Sequence, residues 1–117
     1  MRKQVVSTKS FLTSHIQRIY VGNVDVRHSF HGLLFEWDRE KARINLKKHG
    51  VSFVNACEVF LDPLLLMEDA DGVAQVVVGE ALDERLLFVV HIIRNDDVIR
   101  IVSARPVTSH ERREYEE

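Results

Sequence analysis

Six side chains in this sequence have the types and neighbours to do chemistry: Lys48, Glu58, Arg85, His91, Arg100 and Arg105. An imidazole or a carboxylate can exchange protons near neutral pH, and lysine and arginine hold phosphates or carboxylates. Other chemistries lack their signatures. The single cysteine, Cys57, lies in the apolar-periodic run Val54, Cys57, Val59, Phe60 and reads as a small buried hydrophobe. There is no glycine-rich phosphate loop, no HExxH and no nucleophile elbow, and His15, His28 and His31 lack the paired spacing of a ligand motif. The expected chemistry is proton transfer and anion binding, with no metal and no cofactor.

Whether the six meet depends on the strands that carry them. His91 and Arg100 flank a turn at Asn95-Asp96-Asp97. A two-residue loop at Asn95-Asp96 sets them directly opposite and one at Asp96-Asp97 sets them diagonal, both on one sheet face, whereas an odd loop flips one arm. That face would also carry Leu87, Val89, Val102 and Ala104, so His91 reads equally as a site residue or a histidine at the core edge. Arg100 is costly to bury for packing alone. Arg105 has the opposite parity and joins Arg100 only if the strand twists or bulges; otherwise it makes a surface salt bridge. Glu58 suits a base or an ion-pair partner for an arginine. Lys48, with Lys47 and His49, ends a helix, where cations favour the dipole; phosphate contact is the functional alternative. Trp37 and Phe35 are expected to pack under that helix rather than stack a base.

The elements around them are legible. Leu33 to Trp37 is a short strand, and Asp38 caps a helix running to about Lys48, closed by Gly50. Ser52 caps a second helix from Phe53 to about Phe60, stopped by Asp62-Pro63. Strands are expected over 64–67, 73–82, 85–94 and 98–105, with a turn at 69–72, and Thr108-Ser109-His110-Glu111 has capping-box spacing for a closing helix. Helices 38–48 and 52–60 should cover one face of a mostly antiparallel sheet, an α+β arrangement. Residues 1–32 read as an N-terminal extension with one strand or short helix, and 33–117 as the folded domain.

At 117 residues, with 45% apolar and 29% charged side chains, the chain is sized and composed for one globular domain. No run of about 18 apolar residues and no signal-peptide core is present, so a cytoplasmic protein without membrane attachment is expected. The net charge of −2 argues against a general polyanion binder, although every fixed cation after Lys48 is an arginine.

Three stretches carry a resemblance: Phe35-Glu36-Trp37-Asp38 with Lys41-Ala42; Asn45-Leu46-Lys47-Lys48-His49-Gly50-Val51-Ser52-Phe53; and Glu58-Val59-Phe60-Leu61-Asp62-Pro63. Downstream, Arg85 to His91, Ile99 to Arg105, Glu111-Arg112-Arg113 and Tyr115-Glu116 continue it. Over residues 35–117 the sequence resembles the BrnT toxins in order and spacing; the first 32 residues depart from that pattern. The resemblance implies a RelE-like ribonuclease of a type II toxin–antitoxin system, inhibiting translation by RNA cleavage. It implies a BrnA-like ribbon-helix-helix antitoxin as partner, operator DNA bound only through that antitoxin, and a homodimer within the complex. Metal-free RNA cleavage needs a base, an acid and a cation over the phosphorane. Arg100 then stands as the phosphate clamp, His91 and Glu58 as acid and base candidates, Arg105 as a further member of the catalytic set, and Lys48 and Arg85 as RNA contacts. The rival reading is a catalytically inactive module that binds the antitoxin and acts in complex formation or transcriptional autoregulation.

Overall fold

The computed structural model describes residues 25–95 and 97–117. Strands β1 (Asp25–Phe30) and β2 (Leu33–Asp38) form a hairpin; helices α1 (Arg39–His49) and α2 (Phe53–Glu58), the latter prolonged by a 3-10 turn at Val59–Leu61, follow. Strands β3 (Leu66–Asp71), β4 (Ala74–Glu80), β5 (Leu86–Arg94) and β6 (Val98–Pro106) come next, and α3 (Ser109–Glu116) closes the chain. All six strands join one sheet in the order β1-β2-β6-β5-β4-β3, antiparallel except for the parallel pair β2–β6. The α+β expectation therefore holds, with β1 added to the sheet from the stretch read as an extension.

The helix ends obey the signals read from sequence. Asp38 accepts from the Lys41 N–H at 3.0 Å and Ser52 from the Asn55 N–H at 3.0 Å, while Thr108 and Glu111 form the capping box. Gly50 ends α1 with φ 69°, the left-handed conformation that glycine adopts without a Cβ penalty. Strand β3 differs from expectation: it starts two residues later than 64 and runs through 69–71, where a turn was expected, because a register shift between Asp69 and Asp71 keeps it paired to β4.

Each face of the sheet has its own apolar cluster. The inner face, under α1 and α2, buries Phe35, Trp37, Phe53, Val77, Leu87, Val89, Ile99 and Ile101. Cys57 is wholly buried there, and burial pushes its thiol pKa up, which suits a packing residue. Gly79 permits the close approach of the 3-10 turn to β4, since a Cβ there would lie 3.0 Å from the Val59 carbonyl oxygen. The outer face gathers Ala74, Val76, Val78, Phe88, Val90 and Val102, with Val107 and Tyr115 packed against them.

Register in the β5–β6 hairpin decides which side chains share a face. Arg94 pairs with Val98, so the loop has three residues, and His91 sits opposite Ile101 while Ile92 sits opposite Arg100. This is the odd loop, and it corrects the expectation that His91 and Arg100 share a face: His91 points inward and Arg100 outward. Val102 likewise belongs to the outer face, not with Leu87, Val89 and Ala104. Further along, the pairing jumps from His91–Ile101 to Val90–Ser103, leaving Val102 as an extra residue. That bulge reverses the parity of the rest of β6, so Arg105 emerges on the same face as Arg100.

Candidate functional site: the corner at the end of α1

Strand β2 pairs with β6 only over Val98–Arg100, so beyond that point the β2-side edge of β6 has open backbone groups. Asn45 of α1 fills the gap. Its carboxamide donates to the Ala104 carbonyl at 2.8 Å, accepts from the Ala104 N–H at 3.2 Å, and donates to the Val51 carbonyl at 3.0 Å. One buried side chain thus does for β6 what a neighbouring strand would do, and it fixes the end of α1 against the end of the sheet. His49 lies one helical turn beyond Asn45 on the same side of α1, which carries it toward the Arg105 end of β6. Partial burial comes first in lowering the His49 pKa, and the charges of Lys48, Arg105 and Lys41 push it further down. The result is a partly exposed neutral imidazole ringed by cations.

The same end of the molecule holds Arg85 and Glu58. Arg85 donates to the Gly50 carbonyl at 3.0 Å, to Asn55 Oδ1 at 3.3 Å and to Asp83 at 2.9 Å, buttressing the α1–α2 turn. Glu58 accepts from Asn55 Nδ2 at 3.3 Å and from the Leu82 N–H at 2.9 Å. Arg105 lies over the Phe88 ring, 4.0 Å from its centroid, and forks onto Glu111 with contacts of 2.9 and 2.8 Å. Lys48 is exposed to solvent. Four of the six candidates, Lys48, Glu58, Arg85 and Arg105, are therefore drawn to one end of the fold.

The remaining two lie elsewhere. Arg100 is 2% exposed and bonds Glu36 at 2.9 Å and Asp25 at 3.1 Å; Arg94 also reaches Glu36, at 2.8 Å. Burial opposes the charge on Arg100, and the hydrogen bonds and charges of Asp25 and Glu36 overcome it, so its pKa is raised. His91 is 1% exposed, its ring 5.0 Å from that of Phe60, and neither ring nitrogen has a hydrogen-bond partner among the described residues. Burial lowers its pKa to about 4, which makes it a neutral core side chain at ordinary pH.

Sequence reasoning assigned His49 to helix capping and did not mark Glu36, Asp25 or Arg94. The signal for His49 was its i, i+4 relation to Asn45; that for Glu36 was its place between Phe35 and Trp37 in a strand, which sends it to the opposite face.

A family model described as the ribonuclease toxin, BrnT, of type II toxin–antitoxin systems matches residues 37–111. The chain belongs to this family. Strand β1 and the carboxylate of Asp25 lie upstream of the matched residues. Among solved structures, the fold is similar to that of the Brucella abortus ribonuclease toxin BrnT, with a TM-score of 0.55 and 22% sequence identity, over 62% of this chain and 94% of that one. That likeness is one of fold. No match is found among curated proteins. Among the described residues, no helix of this family member is long and apolar enough to cross a membrane.

Proposed function

We propose that this member of the BrnT family is a metal-independent endoribonuclease acting at the corner where α1, β5 and β6 meet. The observation that supports it most is a neutral, partly exposed His49 beside Lys48 and Arg105, held there by the Asn45 tether. In this reading His49 takes the 2′-hydroxyl proton as the 2′-oxygen attacks phosphorus, and the bond to the 5′-oxygen breaks to leave a cyclic phosphate. Lys48 supplies a proton to the departing oxygen, and Arg105 turns from Glu111 to the phosphate, whose charge rises in the transition state. Arg85 and Glu58 shape the floor of the corner through Gly50, Asn55 and Leu82. His91 and Arg100, assigned to catalysis from sequence, act here through the fold, as a neutral core residue and the centre of a buried ion network.

The partner reading follows the same chemistry. An antitoxin of the BrnA-like type would lay an acidic, apolar segment beside this corner, in the shallow hollow lined by Trp37, Ala42, Leu46, Phe53 and Val54 and flanked by Arg43. Leu46 and Val54 are exposed there, giving the apolar centre, while the cations of α1 give register and encounter rate. Translation would stop through RNA cleavage in the cytoplasm, and release would follow loss of the antitoxin.

The test is cleavage of a defined RNA by the purified full-length chain in excess chelator. We expect activity to persist with chelator, to fall about a hundredfold or more in His49→Ala, and to fall in Lys48→Ala with Tm unchanged. Activity should be lost as pH drops through a value below the usual histidine range. Loss of cleavage on chelation with recovery on adding a divalent ion would overturn metal independence. Full activity of His49→Ala would overturn the assignment of the corner. A chain that binds its partner but never cleaves RNA would favour the module reading, for which the paired state of Arg105 with Glu111 speaks.

A further inference from the structure

Strand β3 ends the sheet: one side pairs with β4, and among the described residues no strand pairs with the other. An edge of this kind presents backbone N–H and C=O groups to any strand that can add to it. Its surroundings are apolar as well. Of the nine large apolar side chains that stand exposed among the described residues, six lie between Leu61 and Leu82. On the outer face, Leu66 borders a groove floored by Val76, Val78 and Phe88 and rimmed by Glu68 and Glu114, both exposed. Near the start of β3, a second hollow holds exposed Leu61 and Leu82 beside exposed Glu80 and Glu84.

Charge decides what fits there. From Glu58 to Glu84 the chain holds eight carboxylic acids and no lysine, arginine or histidine, whereas α1 holds five lysines and arginines against Glu40 alone. Neither hollow has a cation in its lining. A phosphate backbone or an anionic lipid surface is repelled from such a flank. A second copy fits no better, because β3 against β3 would set Glu68 and Asp69 near the same acids of the other chain, and like charges across a strand pair are destabilising. The order of side chains also sets a register. Leu66 and Glu68 face outward, opposite Val78 and Val76, while Met67 and Asp69 face inward, opposite Val77 and Gln75. Both faces of β3 therefore read apolar and then acidic along the strand.

We propose that the edge of β3 is the docking site for a basic, extended segment of a partner protein, which joins the sheet antiparallel with two apolar side chains beside Leu66 and Met67 and two basic ones beside Glu68 and Asp69. Backbone pairing holds the segment, and the acids select it. The site is separate from the cationic corner at the end of α1 and does not depend on RNA being cleaved there.

Two labelled synthetic peptides test this on the full-length chain, one with the core Lys-Arg-Val-Ile and one with the core Glu-Asp-Val-Ile. Fluorescence anisotropy should show binding of the first and none of the second. Glu68→Lys should weaken the first about tenfold or more, with Trp37 emission unchanged, whereas Arg39→Glu, on the exposed start of α1, should leave it as it was. In the unbound protein alternate amides of β3 should exchange freely, and the basic peptide should slow them about tenfold or more, which a contact through side chains alone would not do. Equal binding of the two peptides, or of neither, would overturn the proposal, as would binding that leaves exchange in β3 unchanged. So would slow exchange of every β3 amide in the unbound protein, because the edge would then already be occupied; a dimer in sedimentation would assign it to a second copy.

Discussion

Replacing Asn45 by alanine tests whether a single carboxamide sets the geometry of the corner. The substitution removes three hydrogen bonds of 2.8 to 3.2 Å and strands the Ala104 N–H and the Ala104 and Val51 carbonyls in a site where Asn45 itself is 5% exposed. At about 1 kcal/mol per net hydrogen bond, and more for a buried group left without a partner, the loss should be about 3 kcal/mol. For a chain of this length that corresponds to a Tm lower by roughly 12 °C. Urea denaturation followed by Trp37 emission measures the first figure and calorimetry the second. Because His49 and Lys48 lie within a turn of Asn45, cleavage at temperatures where the variant stays folded should fall about tenfold or more. Asn45→Asp keeps the acceptor for the Ala104 N–H but faces two carbonyl oxygens with a carboxylate, so it should be worse than alanine. If Asn45→Ala lost under about 0.5 kcal/mol and cleaved at the parental rate, the tether would be incidental and the argument for the corner would fail.

Two other outcomes can be read from stability. The folded-state pKa of His91, about 4, lies below its unfolded value of 6.5, so the unfolded chain takes up a proton that the folded one refuses. Stability is then full above pH 6.5 and declines by about 3 kcal/mol as pH falls to 4; His91→Leu should flatten this part of the profile, and equal slopes in the two proteins would refute a neutral His91. The Tyr115 hydroxyl donates to Asp62 at 2.6 Å, a contact that pushes the phenol up to about 12, so its absorbance titration should run well above the usual 10. Tyr115→Phe should cost about 1 kcal/mol and speed amide exchange in α3 selectively; uniform exchange across the fold would argue against Tyr115 as the anchor of that helix.

Local signals carried most of the fold. Asp38, Gly50, Ser52 and Thr108 set helix ends through contacts three or four residues away, and such contacts are written in neighbouring letters. The long-range features were not legible in the same way. Nothing between 85 and 105 announces that the turn has three residues or that Val102 is an extra residue, yet together these separate His91 from Arg100 and unite Arg100 with Arg105. Burial of Arg100 was foreseeable as costly, but its partners, Asp25 and Glu36, are 75 and 64 residues away and depend on β1 joining the sheet. His49 went unmarked because its neighbour, Arg105, is brought close only by the contact between Asn45 and Ala104.

The bulge at Val102 makes the two halves of β6 separately adjustable. Up to Ile101 the strand is a central member of the sheet, gripped by β2 and β5 and committed to the inner core. Past the bulge its alternation restarts, so the sequence from Ser103 onward can change length or character without shifting any residue below it. A protein that must keep a constant interior while adapting its working end to different substrates or partners gains from such a joint. Straightening the strand with Val102 retained would have the reverse effect: it would turn Arg105 toward the packed helices and Ala104 toward the outer face. Chains built on this sheet should therefore vary freely in composition beyond the joint and scarcely at all in its presence.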